Sequence, residues 1–108
     1  MTNLLFICSE NRLRSPTAEA VFSEYENVEA IGAGTNSHAR TVISGDLVEW
    51  ADIVFAMEKS HRNKITKKYK DALKNKRLIV LDIPDNYAYM DPELIKILRS
   101  KVARFVHY

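Results

Sequence analysis

A cysteine and an arginine separated by five residues lie near the start of this 108-residue chain. Cys8 ends an apolar run, and Arg14 precedes Ser15-Pro16, a pair that favours the start of a helix. A loop of this length can curl with its amide groups inward at the positive end of a helix, where it binds an anion. Arg14 offers a planar fork that matches two phosphoryl oxygens, and both this arginine and the helix terminus favour the thiolate of Cys8. The spacing therefore predicts a phosphate-binding loop that carries a nucleophile.

The residues inside this loop fit that chemistry. Ser15 can donate its hydroxyl to the sulfur, and Asn11 tolerates the left-handed backbone that a tight curl requires. We therefore treat the whole loop as a candidate phosphate-binding site, formed by Ser9, Glu10, Asn11, Arg12, Leu13 and Ser15. The alternative is that Cys8 is only a small buried residue at the end of a strand.

Apolar runs and helix-forming segments alternate along the chain. The predicted strands are Asn3–Cys8, Val28–Ala33, Asp52–Met57 and Arg77–Asp82. Four helices are predicted. The first has Ser15 as N-cap, the second covers Val42–Trp50, the third covers Lys59–Leu73, and the last begins at Asp91-Pro92-Glu93. This alternation predicts an α/β fold, a three-layer α/β/α arrangement with a small four-stranded parallel sheet, in a single domain over residues 1–108.

In such a sheet, sites form beyond the carboxyl ends of the strands. Cys8, the Met57-Glu58 pair and Asp82 all lie at the carboxyl ends of predicted strands. We therefore expect these residues to lie along one edge of the sheet.

Composition excludes several classes of protein. The chain is 46% hydrophobic and 28% charged, which is typical of a folded domain rather than a disordered one. It has no apolar run near the length of about 18 residues that a membrane span needs, and its start does not resemble a signal peptide. One cysteine can form neither an internal disulfide nor a Cys-rich zinc site. We expect a cytoplasmic protein with no membrane association.

Basic residues are concentrated in one segment. His61–Arg77 holds eight Lys/Arg residues and one acid, Asp71. This pattern indicates either a solvated helix face or a surface that attracts anionic substrates. No nucleic-acid-binding motif accompanies it, so we do not expect nucleic acid as a partner.

The loop sequence resembles that of the low-molecular-weight protein tyrosine phosphatases. The residues in register with the family's loop motif are Cys8, Asn11, Arg14, Ser15, Pro16, Ala18, Glu19 and Ala20. Further similarities are Gly32-Ala33-Gly34-Thr35, His38-Ala39-Arg40, and the segment from Ala51-Asp52-Ile53 to Met57-Glu58. The resemblance therefore covers most of the chain.

This resemblance implies a mechanism through phosphocysteine. Cys8 would attack phosphorus, while Arg14 and the loop amides hold the phosphoryl oxygens. An aspartic acid would protonate the leaving oxygen and then activate water, and neither a metal nor a cofactor would be needed. The substrate would be a phosphorylated protein or a small phosphomonoester.

Three residues are candidates for the general acid. Matching the fourth strand to that of the family puts Asp82 at the position of the acid, and Asp85, which follows Pro84 and lies nearer Tyr87 in sequence, is an equal candidate. The family's literal Asp-Pro pair occurs here as Asp91-Pro92, but these types are also the ordinary cap and first residue of a helix. Tyr87 is expected to form part of the pocket wall, and packing elsewhere is the alternative.

The chain also departs from the family. Glu10 replaces a loop glycine, and its carboxylate would repel a dianion unless Arg12 neutralises it or it points outward. Leu13 replaces a second cysteine, so Cys8 lacks the partner that protects it from over-oxidation. A segment of the substrate wall is absent after Thr35. His38 would support Asn11 or lie exposed in a loop, and His61 is expected at the surface rather than in the site.

Two other functions remain open from the sequence. One is an arsenate reductase, a type of enzyme that shares this fold. Such enzymes pass electrons through further cysteines, so a chain with one cysteine would need an external thiol. The other is a non-catalytic relative that binds phosphate or phosphoproteins.

Overall fold

Eight elements alternate between strand and helix, as the sequence predicts. The computed structural model describes residues Met1–Tyr108. In chain order the elements are β1 (Thr2–Cys8), α1 (Arg14–Phe22), β2 (Val28–Gly34), α2 (Gly45–Trp50), β3 (Ile53–Ala56), α3 (Lys59–Lys68), β4 (Arg77–Val80) and α4 (Pro92–Val102). The strands form one sheet in the order β2-β1-β3-β4, and every pair is parallel. The predicted four-stranded parallel sheet is confirmed.

Helices cover both faces of this sheet and give the predicted three layers. On one face, Leu4, Phe6 and Cys8 of β1 belong to a core that includes buried residues of α1 and α4. On the other face, Leu5 and Ile7 pack with residues of α2 and α3. Because β1 is central and covered on both sides, its apolar run is continuous rather than alternating.

Aromatic stacking fixes the central strand within the first core. The Phe6 ring lies 5.4 Å from that of Phe22 on α1 and 5.1 Å from that of Phe55 on β3, with nearly parallel planes in both pairs. All three side chains are fully buried. This packing holds β1 against the carboxyl end of α1 and against β3, and so fixes the strand that ends at Cys8.

Two predicted helix starts differ from the structure. α1 begins at Arg14 after Leu13, so Ser15 is not its N-cap. The Ser15 hydroxyl contacts Cys8 and Asn11 instead, which explains why this serine lies one residue inside the helix. α2 begins at Gly45 rather than Val42, because Ser44 caps it by accepting the N–H of Leu47 at 3.3 Å.

The prediction for the last helix is confirmed, and that for α3 is too long. Asp91 caps α4 by accepting the N–H of Glu93 at 2.9 Å, and Pro92 is its first residue. α3 ends at Lys68 instead of Leu73, because the backbone of Tyr69 leaves the helical region. No helix has both the length and the apolar character needed to cross a membrane.

Two surface features bear on the site. The connection between β2 and α2 contains no helix, only an isolated bridge between Gly34 and Val42. On α3, the side chains of Lys64, Lys67 and Lys68 are exposed. None of them is paired with an acid, because the two ion pairs of the molecule both involve Arg14.

Candidate active site

The segment between β1 and α1 curls into a loop held from outside by the residues that follow β2. Three consecutive carbonyls of the loop accept backbone N–H groups at 2.9–3.0 Å: Cys8 from Thr35, Ser9 from Asn36, and Glu10 from Arg40. In a trans peptide, the carbonyl and the next N–H point in opposite directions. The amides that follow these outward carbonyls are therefore directed toward the inside of the loop.

Most of these amides have no acceptor within the protein. No backbone acceptor serves the N–H groups of Ser9, Glu10, Arg12, Leu13 and Arg14. The amide of Asn11 donates to the Cys8 sulfur at 3.1 Å. Because backbone donors in folded proteins are nearly always paired, converging free amides at a helix N-terminus mark a place for an anion.

Two glycines of β2 allow the loop to lie against the sheet. A Cβ on Gly32 would lie 2.8 Å from Asn11 Oδ1 and 2.8 Å from the Ser15 carbonyl oxygen. A Cβ on Gly34 would lie 2.5 Å from the Ser9 carbonyl oxygen. Asn11 itself has a φ of 56°, so the predicted left-handed residue is confirmed.

The sulfur of Cys8 lies in a short hydrogen-bond chain. Its distance to Ser15 Oγ is 2.9 Å, and Ser15 Oγ donates to Asn11 Oδ1 at 2.6 Å. Since the serine has one hydroxyl hydrogen, the Cys8 thiol is the donor to Ser15 when this chain is complete. In the thiolate form the sulfur accepts from the Asn11 amide, and rotation of the Ser15 hydroxyl supplies a second donor. The geometry thus suits both protonation states.

Arg14 is buried and held by groups from two other strand ends. Its side chain is 3% exposed, and Nη1 donates to Glu58 Oε1 at 2.5 Å and to the Ile83 carbonyl at 2.7 Å. Its Nε lies 3.6 Å from Asp85 Oδ1. Since Nη1 is occupied, the edge formed by Nε and Nη2 is the one available to an oxyanion.

One cavity of about 320 Å³ collects most of the predicted site residues. Its walls are formed by Cys8, Ser9, Glu10, Arg12, Leu13, Arg14, Asn36 and Asp85. Asn11 and Ser15 are buried and do not line the cavity, but both are hydrogen-bonded to the sulfur of Cys8. The structure therefore brings the loop and one of the three candidate acids to the same place.

The remaining predicted residues lie elsewhere. Asp82 lines a separate cavity with Glu58, Lys59, Ser60 and Pro84. Tyr87 packs against the hydrophobic core and does not line the Cys8 cavity. Asp91 caps α4.

The structure shows neither a pairing of Glu10 with Arg12 nor a contact of His38 with Asn11. Glu10 and Arg12 are both exposed on the cavity wall without an ion pair between them, so Arg12 does not neutralise Glu10 by direct contact. His38 is exposed and makes no hydrogen bond with Asn11, whose Oδ1 accepts from Ser15 instead.

Sequence reasoning missed the roles of Glu58, His61 and Asn36. Glu58 follows β3, so the strand-end rule placed it at the correct edge without revealing its contact with Arg14. His61 was expected at the surface, and this is wrong: it is 2% exposed, and its Nε2 lies 2.9 Å from Ser9 Oγ. Asn36 had no local signal, because its place depends on how the chain after β2 passes the loop.

The environment of His61 favours the neutral ring. Burial, followed by the charge of Arg14, lowers the pKa of His61 below its usual 6.5. Glu58 and Asp85 act in the opposite direction, and Lys64 adds to the lowering. Its Nδ1 also accepts the backbone N–H of Glu58 at 3.1 Å, which only an unprotonated nitrogen can do.

The fold is that of the low molecular weight protein tyrosine phosphatases, as comparison with solved structures shows. The low molecular weight protein tyrosine phosphatase from Streptococcus pyogenes superposes with a TM-score of 0.80 at 13% identity, covering 99% of this chain and 95% of that chain. No protein-family model and no curated protein matches the sequence.

Two further similar structures are those of phosphatases with different substrates. YwlE arginine phosphatase from Geobacillus stearothermophilus has a TM-score of 0.74 at 19% identity, covering 100% of this chain and 99% of that one. The tyrosine phosphatase Wzb from Escherichia coli K30, in complex with phosphate, has a TM-score of 0.74 at 20% identity, covering 95% and 94%. At these identities the similarity establishes the fold.

Proposed function

We propose that this chain is a cysteine-dependent phosphatase that hydrolyses phosphomonoesters through a phosphocysteine intermediate. The observation that carries the proposal is the convergence of the Cys8 sulfur, the Arg14 guanidinium and the unpaired loop amides on one cavity. A nucleophile surrounded by preorganised donors is the arrangement that phosphoryl transfer requires. The fold of the similar phosphatases agrees with this chemistry.

The first step transfers the phosphoryl group to sulfur. The Cys8 thiolate attacks phosphorus, the S–P bond forms, and the P–O bond to the leaving group breaks. The loop amides and the Nε–Nη2 edge of Arg14, which makes no hydrogen bond within the protein, stabilise the negative charge on the three phosphoryl oxygens. Glu58 and the Ile83 carbonyl keep Arg14 in place, because they occupy its Nη1.

We propose Asp85 as the general acid of this step. Of the three candidate aspartates, it alone lines the cavity that contains Cys8. It would give its proton to the leaving oxygen. In the second step its carboxylate would take a proton from water as that water attacks phosphorus, so that the S–P bond breaks, orthophosphate leaves and the thiolate returns.

The cavity wall bears on the choice of substrate. No aromatic side chain lines it, whereas the carboxylates of Glu10 and Asp85 and the guanidinium of Arg12 do. We propose a phosphorylated protein or a small phosphomonoester as substrate, attracted in part by the exposed lysines of α3. A nucleophilic cysteine without a second cysteine must stay reduced to act, which suits the cytoplasm.

Hydrolysis of an aryl phosphate by the purified chain tests the proposal. We expect turnover by the wild type and none by Cys8→Ser, which keeps the loop amides and Arg14. The Cys8→Ser variant should still bind inorganic phosphate, measured by NMR titration, so that loss of turnover is not loss of the site. Acid quenching during turnover, followed by mass spectrometry, should detect a phosphoryl group on Cys8.

Other outcomes would support the two alternatives. Phosphate binding by the wild type without turnover of any phosphomonoester would indicate a non-catalytic phosphate-binding protein. Consumption of an external thiol that depends on arsenate would indicate a reductase. Unchanged turnover in Cys8→Ser would exclude the proposed mechanism.

A further inference from the structure

His61 connects α3 to the phosphate loop through its two ring nitrogens. Nδ1 accepts the N–H of Glu58 at 3.1 Å, and Nε2 lies 2.9 Å from Ser9 Oγ, across 52 residues of sequence. A neutral imidazole has one donor and one acceptor nitrogen. Since Nδ1 is the acceptor, the hydrogen is on Nε2, and the ring donates to the Ser9 oxygen.

This donation determines what the Ser9 hydroxyl can do. A serine oxygen that accepts from the ring still has its own hydrogen to donate, and the ring fixes the position of that oxygen. Ser9 follows Cys8 directly and lines the same cavity. No other protein group accepts the Ser9 hydroxyl hydrogen, so it is free to point toward an anion in the cavity.

We propose that His61 is a positioning residue that orients the Ser9 hydroxyl as a further hydrogen-bond donor to the anion held by the loop. The inference rests on the proposed function only in that the loop binds an oxyanion. His61 is buried and makes no contact with substrate in this role; it acts through Ser9.

Loss of the Ser9 donor should weaken phosphate binding by the amount that one neutral hydrogen bond contributes. The loop amides and Arg14 remain when the Ser9 donor is lost, so we expect a loss of about tenfold in phosphate affinity and in kcat/KM. A merely structural histidine would instead change the thermal midpoint and leave the affinity of the folded protein unchanged.

Two substitutions distinguish the contributions of the two ring nitrogens. His61→Asn places its amide oxygen near the position of Nδ1, which preserves the contact with Glu58 but does not reach Ser9. His61→Gln places an amide nitrogen near the position of Nε2, which preserves donation to Ser9. We expect His61→Asn to lose about tenfold in phosphate affinity and kcat/KM with little change in thermal midpoint, and His61→Gln to retain most of both.

Ser9→Ala supplies the matched control, because it removes the group through which His61 acts. We expect Ser9→Ala to lose about as much as His61→Asn, and the double variant to lose no more than either single variant. Losses that multiply in the double variant, or wild-type phosphate affinity in His61→Asn, would overturn the proposal.

Phosphate affinity, measured by NMR titration, also separates this inference from the proposed function. If the wild type binds phosphate but hydrolyses no phosphomonoester, the affinities of the variants still decide the role of His61. If the wild type binds no phosphate, the role assigned to His61 is wrong together with the anion-binding loop.

Discussion

Asp85→Asn tests the assignment of the general acid most directly. The substitution keeps the size of the side chain and removes its ability to transfer a proton. Asp85 lies 3.6 Å from Arg14 Nε and shares a cavity with Cys8. We therefore expect the first chemical step to slow, because the leaving oxygen departs without protonation.

The structure sets separate magnitudes for activity and stability. Loss of a general acid costs about 10²–10⁴-fold in rate, and we expect this range for phenyl phosphate, whose leaving group is strongly basic. The pair with Arg14 is long, and the Asp85 side chain is 63% exposed, so its loss costs at most about 1 kcal/mol of stability. That corresponds to a fall of roughly 4–8 °C or less in thermal midpoint, too little to unfold the variant at 25 °C.

The assay compares two substrates and two variants. Phenyl phosphate requires protonation of its leaving group more than para-nitrophenyl phosphate does, so Asp85→Asn should lose more kcat on the first. Asp82→Asn is the matched control, since asparagine tolerates the left-handed backbone of that position, where φ is 54°. We expect Asp82→Asn to keep near wild-type kcat on both substrates. Inorganic phosphate should inhibit Asp85→Asn at least as well as wild type, because a nearby negative charge has been removed.

Either of two results would refute this reasoning. If Asp82→Asn loses 100-fold or more on phenyl phosphate while Asp85→Asn keeps its kcat, the shared cavity has identified the wrong carboxylate. Equal losses on both substrates in Asp85→Asn would instead show that this carboxylate positions substrate rather than supplies a proton.

Three further predictions concern stability and the loop. Gly32→Ala should cost about 1–3 kcal/mol and weaken phosphate binding, because its Cβ would lie 2.8 Å from Asn11 Oδ1. Gly45→Ala is the control, because its Cβ would meet nothing closer than 3.9 Å, and it should be neutral or stabilising. Urea titration measures the stability of both variants. Asp91→Ala should lower stability by about 0.5–2 kcal/mol without changing kcat, whereas Asp91→Asn keeps the cap and the stability. Because the folded-state pKa of His61 is below 6.5, its contribution to stability is present above pH 6.5 and is lost as pH falls toward the folded pKa. As pH falls through this window, the free energy of unfolding of wild type should therefore drop by up to about 1.4 kcal/mol per pH unit more than that of His61→Asn. Urea titrations at several pH values measure both, and an equal dependence on pH in the two proteins would contradict the lowered pKa.

Local sequence patterns predicted the elements and the loop. Continuous apolar runs mark strands covered on both faces, and Asp91-Pro92 has the residue types of a helix cap and first turn. Asn11 and the spacing from Cys8 to Arg14 predicted a left-handed residue and an anion-binding curl. These properties depend on neighbouring residues, so they can be predicted without knowing the path of the chain. The prediction of Ser15 as N-cap was wrong, because its hydroxyl is hydrogen-bonded to Cys8 and Asn11 within the loop and does not cap the helix.

Contacts between distant parts of the chain decided the rest of the site. Arg14 is held by Glu58 and the Ile83 carbonyl, which are 44 and 69 residues away in sequence, and His61 reaches Ser9 across 52 residues. The sequence left Asp82 and Asp85 equal as candidate acids. Only the course of the chain after β4 places Asp85 in the wall of the cavity that Cys8 lines, and Asp82 in the wall of another cavity. The chain itself thus specified the proposed nucleophile and its loop, because they follow one another in sequence. The fold selected their partners, because a parallel sheet brings the ends of separate strands to one edge.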